Sequence, residues 1–232
     1  WVIKGQKVWT SWAHEADRCM LLARTNPDAP KHKGITYFLA SMESIEVRPL
    51  EMINGDNEFN EMIIDDVFVP DEDVLGPVDG GWPIALTTLS FERAGMSLVL
   101  WVWARRAVDE VIAAARDRGL IDDPEVLAEL GRLSARAEAV RIGGIRMVSE
   151  IGAGQTPGPD SSALKLLWAS AVQETSRLGM RLLGSAAVLG DAEAHAVVDR
   201  YLRSRGHTIE GGTDEVQKSI LAERILGLPK SR

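Results

Sequence analysis

The 232-residue chain sets 26 Lys and Arg against 34 Asp and Glu, for a net charge of −8 and a pI near 5.1. That balance excludes a broad nucleic-acid-binding face, because phosphate recognition needs a net basic surface. With 45% hydrophobic and 26% charged residues there is enough apolar matter for one large domain or two modest ones.

One cysteine, Cys19, closes no internal disulfide and builds no multi-cysteine zinc site, and such sparse thiol usage fits a reducing compartment, the cytoplasm by default. No apolar run has the length to span a bilayer and no signal pattern opens the chain, so no membrane association is expected. The first residues are Trp1-Val2-Ile3-Lys4-Gly5, strand-like from the start and without an initiating Met, and the sequence reads as a piece of a longer protein.

Up to about residue 75, short β-branched or apolar runs alternate with turn formers, which predicts a small sheet or barrel. The strands are expected at Cys19–Ala23, Ile35–Ala40, Ile45–Leu50 and Met62–Val69, punctuated by Asn26-Pro27-Asp28, Lys33-Gly34 and Asn54-Gly55-Asp56. A loop with Gly76-Pro77, Gly80-Gly81 and Trp82-Pro83 then marks a domain boundary, between a β-domain over 1–75 and a helical domain over 82–232.

Beyond it the apolar period becomes helical. Leu100, Ala104, Ala107, Val108 and Val111 form the stripe of a long first helix running to Arg118-Gly119. A second helix starts at Asp123-Pro124, carries Val126, Leu130, Leu133, Ala137 and Val140, and runs towards Gly152–Gly154. Pro157-Gly158-Pro159 breaks the chain, and Asp160 is expected to cap a third helix bearing Leu164, Leu167, Trp168, Ala171 and Leu178 as far as Gly184. A shorter helix spans roughly Asp191–Arg205. Thr213 caps a last one, whose acidic first turn, Asp214-Glu215, suits the helix dipole and which Gly227 and Pro229 end. The fold class is therefore α+β, a small β-domain followed by a helical bundle.

The common site motifs are missing. His14, His32, His195 and His207 have no metal-ligand spacing and read as surface or turn residues, so no metal site is expected. There is no Gly-x-Ser-x-Gly, Walker A loop or Gly-x-Gly-x-x-Gly. Two features remain. Glu92, in Phe91-Glu92-Arg93 near the start of the long helix, is either a carboxylate facing an apolar interior or a first-turn glutamate favoured by the dipole or paired with an Arg. Glu210-Gly211-Gly212-Thr213 is either a loop whose glycines let backbone N–H groups approach a ligand at a helix N-terminus or a tight inter-helix turn.

With these residues the chain resembles the acyl-CoA dehydrogenase family over essentially its whole length. The resemblance is carried by Trp1 through Ser11, Leu21-Leu22-Ala23-Arg24-Thr25, Phe59-Asn60-Glu61, Asp66-Val67-Phe68-Val69-Pro70, Leu75-Gly76, Gly81-Trp82 and Glu92-Arg93. It continues in Gly211-Gly212-Thr213-Asp214-Glu215-Val216-Gln217 and in Ala222 through Pro229. It implies a middle β-domain and a C-terminal up-down four-helix bundle, with the family's N-terminal helical domain and its flavin-contacting loop outside this sequence.

The implied reaction is α,β-dehydrogenation of an acyl-CoA thioester in lipid or fatty-acid catabolism. FAD is the implied cofactor, a tetramer the implied assembly, and electron-transfer flavoprotein or a similar acceptor the implied partner. In the family a glutamate takes the α-proton while hydride leaves for flavin N5, and hydrogen bonds to the thioester oxygen stabilise the enolate. One family position for the base is Gly211 here, which cannot act but supplies a backbone N–H for the carbonyl; the other is Glu92, with Glu210 in reserve. Trp9 and Ser11 match residues beside the flavin ring, and Thr213 and Glu215 match contacts to its dinucleotide portion.

Two motifs depart from the family. Arg118 through Asp123 replaces an Arg-x-x-Phe-Gly element, and Arg181, followed by Gly184-Ser185, stands where a Gln precedes a Gly-Gly pair near the pyrophosphate. The departures leave open a mainly structural subunit of an unlike-subunit tetramer whose partner completes the flavin site. A family-like flavin monooxygenase or oxidase is the third reading, opposed by the presence of Glu92.

Overall fold

The computed structural model describes residues 1–156, 158–190 and 192–230, without the side chains of Arg93, Ala94 and Glu193. Pro157 and Asp191, to which the sequence assigns a chain break and a helix start, lie outside the described residues. The chain divides into two compact units, Trp1–Leu89 and Ser90–Arg232.

The first unit holds β1 (Val2–Ser11), β2 (Arg18–Arg24), β3 (Ile35–Ser41), β4 (Glu46–Leu50), β5 (Phe59–Phe68) and a two-residue β6 (Val74–Leu75). They form two three-stranded antiparallel sheets, ordered β1-β5-β4 and β2-β3-β6. Leu21, Phe38, Met62, Ile64, Val67 and Val69 are each no more than 2% exposed and build the core between the sheets. Each contributes about 1.5–3 kcal/mol by leaving water.

Strand β5 starts three residues before its expected position. Asn60, fully buried, donates from Nδ2 to the Thr10 carbonyl at 3.1 Å, and its Oδ1 lies 3.0 Å from His14 Nδ1. A satisfied polar residue thus occupies an inward position that an apolar-periodicity reading passes over.

The chain leaves this unit through a clipped turn. Thr25 Oγ1 donates to Asp79 Oδ1 at 2.5 Å, and the buried Thr36 hydroxyl donates to Thr25 at 2.7 Å while accepting the Asp79 N–H at 2.8 Å. Gly81 then passes so close to the sheet that a Cβ would sit 2.5 Å from the Tyr37 amide nitrogen, which only glycine tolerates.

The helices are α1 (Gly81–Asp117), α2 (Pro124–Gly152), α3 (Asp160–Leu183), α4 (Ser185–Leu189), α5 (His195–Arg203) and α6 (Asp214–Arg224). Most of the expected stripe is buried: Leu100, Ala104, Val108 and Val111 of α1 meet Leu130, Leu133, Ala137 and Val140 of α2, and Leu164, Trp168 and Leu178 of α3, joined by Val172, while Val126 and Leu167 pack half-buried against them. Asp123 caps α2 from Oδ1, accepting the Glu125 and Val126 amides at 2.9 and 3.1 Å. Asp160 does not cap α3; it is the first helical residue, after Pro159, and its carboxylate lies 3.5 Å from Arg146. The short α4 was not legible, because five residues are too few to display a helical period. Trp168 is a core residue at 2% exposure, whereas Trp103 is 37% exposed.

Candidate active site

Glu92 is the twelfth residue of α1, whose first is Gly81. The helix begins earlier than the apolar stripe suggests, so Glu92 stands about three turns from the N-terminus, beyond the reach of the dipole that a first-turn reading invokes. Nor does it face an apolar interior: Glu92 and its neighbour Phe91 are exposed. Among the described residues no side chain is paired with the Glu92 carboxylate.

The loop entering α6 is tied to the rest of the second unit at several points. Gly211 and Gly212 both adopt left-handed backbone, φ 62° and 94°. At Gly212 a Cβ would lie 2.5 Å from Gln217 Nε2, whereas at Gly211 it would meet nothing within 4 Å. Gly212 is thus demanded by close approach, and Gly211 borders open space.

Gln217, 1% exposed on α6, donates from Nε2 to the Gly211 carbonyl at 2.7 Å and keeps Oε1 buried without a partner among the described residues. Thr213 caps α6, its hydroxyl accepting the Val216 amide at 3.3 Å. Asp214, in the first turn, accepts from Lys165 Nζ of α3 at 2.8 Å, an ion pair whose lysine side chain is 9% exposed.

Glu210 is neither free nor solvent-facing. Its carboxylate accepts from Arg203 Nη2 at 2.7 Å and lies 2.5 Å from His207 Nδ1, with 27% of the side chain exposed. Burial works against the charge, but the His207 and Arg203 hydrogen bonds win and hold the pKa at about 2, down from 4.5. A carboxylate that gives up its proton so readily is a weak general base. His207 lies in a turn, as expected, but is buried there, its ring 4.3 Å from that of Trp168. The signal for this cluster was the i, i+3 spacing of His207 and Glu210, with Arg203 one turn further back.

In the first unit, Trp9 and Ser11 lie at the end of β1, where the β1–β5 register slips between Lys7 and Thr10. Trp9 has φ 64°, is 65% exposed and meets Phe59 edge-on at 5.9 Å. Ser11 is exposed, and its hydroxyl has no partner among the described residues. An outward-turned indole with a free hydroxyl donor two residues on suits a planar heteroaromatic ring with acceptor nitrogens. Glu215 follows Asp214 in the first turn of α6. Arg181, in the last turn of α3, is instead engaged: its Nη2 donates to Glu129 Oε2 of α2.

Residues 79–226 match the family model described as acyl-CoA dehydrogenase, C-terminal domain. The chain is 43% identical over 232 residues to acyl-CoA dehydrogenase FadE34 of Mycobacterium tuberculosis, a match covering 99% of this chain and 32% of that protein. With acyl-CoA dehydrogenase IpdE1 of Mycolicibacterium smegmatis it shares 36% identity, covering 99% and 58%. Among solved structures it superposes on the Tcur3481-Tcur3483 steroid ACAD with a TM-score of 0.87 at 30% identity, covering 99% of this chain and 61% of that one. On the ChsE4-ChsE5 complex from Mycobacterium tuberculosis the TM-score is 0.84 at 31% identity, covering 99% and 62%. This chain therefore spans between about a third and three-fifths of the length of these relatives. No helix among the described residues is long and apolar enough to cross a membrane. With a family model matched over more than half of its residues, on the fold those residues build, the chain belongs to the acyl-CoA dehydrogenase family.

Proposed function

We propose that this chain carries the base of a flavin-dependent acyl-CoA dehydrogenase and that the base is Glu92. The observation supporting this is the contrast between two carboxylates. Glu210 is locked by His207 and Arg203 with a pKa of about 2, and the family's other base position is Gly211, which leaves the exposed Glu92 as the carboxylate for proton abstraction.

The Glu92 carboxylate accepts the α-proton of the thioester. The Gly211 N–H donates to the thioester oxygen, where negative charge grows as that proton leaves, and a preorganised donor of this kind is worth about 10²–10³ in rate. FAD, when bound, supplies the two-electron acceptor for the β-hydrogen. Trp9 and Ser11 would hold its ring, and Thr213 and Glu215 its dinucleotide portion. Electron-transfer flavoprotein or a similar acceptor takes the electrons onward.

The substrate class is a steroid- or lipid-derived acyl-CoA, and the assembly is a hetero-oligomer. The support for both is the named steroid ACAD and the two-component complex among the structural neighbours. The engagement of Arg181 by Glu129 favours a second arrangement, in which the partner subunit supplies the pyrophosphate contact. In that case the complete protein purified alone is colourless and takes up flavin only with its partner.

The test is anaerobic flavin reduction by a panel of acyl-CoAs in the assembled protein. Glu92→Gln is expected to slow bleaching by about 10²–10⁴ with acyl-CoA binding retained. Bleaching at the parent rate would refute Glu92 as the base, and a parent protein that no acyl-CoA bleaches would revive the oxidase or monooxygenase reading.

A further inference from the structure

Two consecutive left-handed glycines are the least constrained backbone a chain can offer, yet a donor that stabilises growing charge has to be aimed before the reaction begins. The direction of the Gly211 N–H is the direction of the peptide plane joining residues 210 and 211. Downstream, the adjoining plane between residues 211 and 212 is restrained where the Gly211 carbonyl accepts from Gln217 Nε2. Upstream, the Glu210 N–H donates to the Gly206 carbonyl at 2.9 Å. The Glu210 side chain adds two ties to different parts of the scaffold, Arg203 at the end of α5 and His207 in the turn that packs on Trp168 of α3.

We infer that Glu210 is a positioning residue: its carboxylate, bridged between Arg203 and His207, aims the Gly211 N–H at the thioester oxygen. This rests on the reading of Gly211 as the donor to that oxygen. The low pKa of Glu210 agrees with it, because a carboxylate that stays charged keeps both ties over the whole working pH range.

The carboxylate is suited to the task because each of its oxygens accepts from a different partner. Glutamine retains one accepting oxygen and turns an N–H₂ group towards the other partner, so E210Q keeps one tie and E210A keeps none. Since the bond to the thioester oxygen strengthens as charge develops, loosening it lowers kcat more than it raises KM.

The experiment uses the assembled protein and an acyl-CoA labelled with ¹³C at the thioester carbonyl. Isotope-edited infrared spectra would be recorded for the parent, E210Q and E210A, alongside kcat, KM and the amide exchange of segment 208–213 in the ligand-free protein. The parent is expected to lower the carbonyl stretch relative to free thioester, E210A to return it most of the way, and E210Q to fall between. The kcat of E210A is expected to fall by about 10–100-fold at nearly constant KM, with faster exchange in the segment. If E210A does not fold, the intermediate position of E210Q carries the test. A lowered stretch in the parent that both variants retain overturns the positioning role alone. No lowering in the parent overturns the Gly211 donor and, with it, the role of Glu210.

Discussion

The Lys165–Asp214 pair joins α3 to the first turn of α6 and should respond asymmetrically to loss of either partner. The lysine side chain is 9% exposed and the aspartate 21%. Replacing Asp214 by Ala strands an ammonium in the bundle, and removing one partner of a buried pair costs about 3–5 kcal/mol. The lower end applies because the aspartate edge reaches water, and loss of an anion from a helix's first turn adds about 0.5 kcal/mol, for a total of about 3.5. Replacing Lys165 by Met leaves a carboxylate that water and the free N–H groups of α6 still stabilise, at a cost of about 1 kcal/mol.

For a protein of this size about 2–4 °C of Tm accompanies each kcal/mol. Scanning calorimetry should therefore find a drop of about 7–14 °C for Asp214→Ala and about 2–4 °C for Lys165→Met. The double variant Lys165→Met, Asp214→Asn should lie nearer the parent than Asp214→Ala alone. Equal costs for the two single variants, or less than about 1.5 kcal/mol for Asp214→Ala, would refute the view that this pair anchors α6 and the glycine loop before it.

Other consequences are as direct. Glu210 has its pKa depressed from 4.5 to about 2, so it contributes stability that is fully present above pH 4.5 and lost as pH falls through 2. The shift corresponds to about 3 kcal/mol, and acid titration of E210Q should show a shallower loss across that window than the parent; identical curves would refute the ion pairs. Gly81→Ala forces a Cβ to within 2.5 Å of the Tyr37 nitrogen, a backbone clash that should cost about 1–3 kcal/mol in denaturant titration. Leu133→Ala empties a fully buried site among α1, α2 and α3 and should cost about 2–5 kcal/mol; a loss below 1 kcal/mol would place Leu133 outside the core.

The main helices were legible because helical period and burial are two views of one requirement. Leu100, Ala104, Val108 and Val111 recur at that period, and each is 9% exposed or less. Two helix starts were legible for the same local reasons: Asp123 and Thr213 carry capping oxygens, and these act in the structure as N-caps. Placing Glu92 in a first turn failed because Gly81-Trp82-Pro83 reads as loop, and Pro is tolerated within a helix's opening residues without showing an apolar stripe.

What the sequence determined by itself was whatever depends on near neighbours: period, caps, turns, and the ordered motifs that carry the family. Only the tertiary structure decided that Glu210 is a held carboxylate and not an exposed one, that Lys165 is buried against Asp214, and that Gln217 restrains the Gly211 carbonyl. The physical reason is that a carboxylate's charge and freedom are set by which cations and amides surround it in space. Lys165 lies 49 residues from its partner Asp214, a separation at which periodicity carries no information.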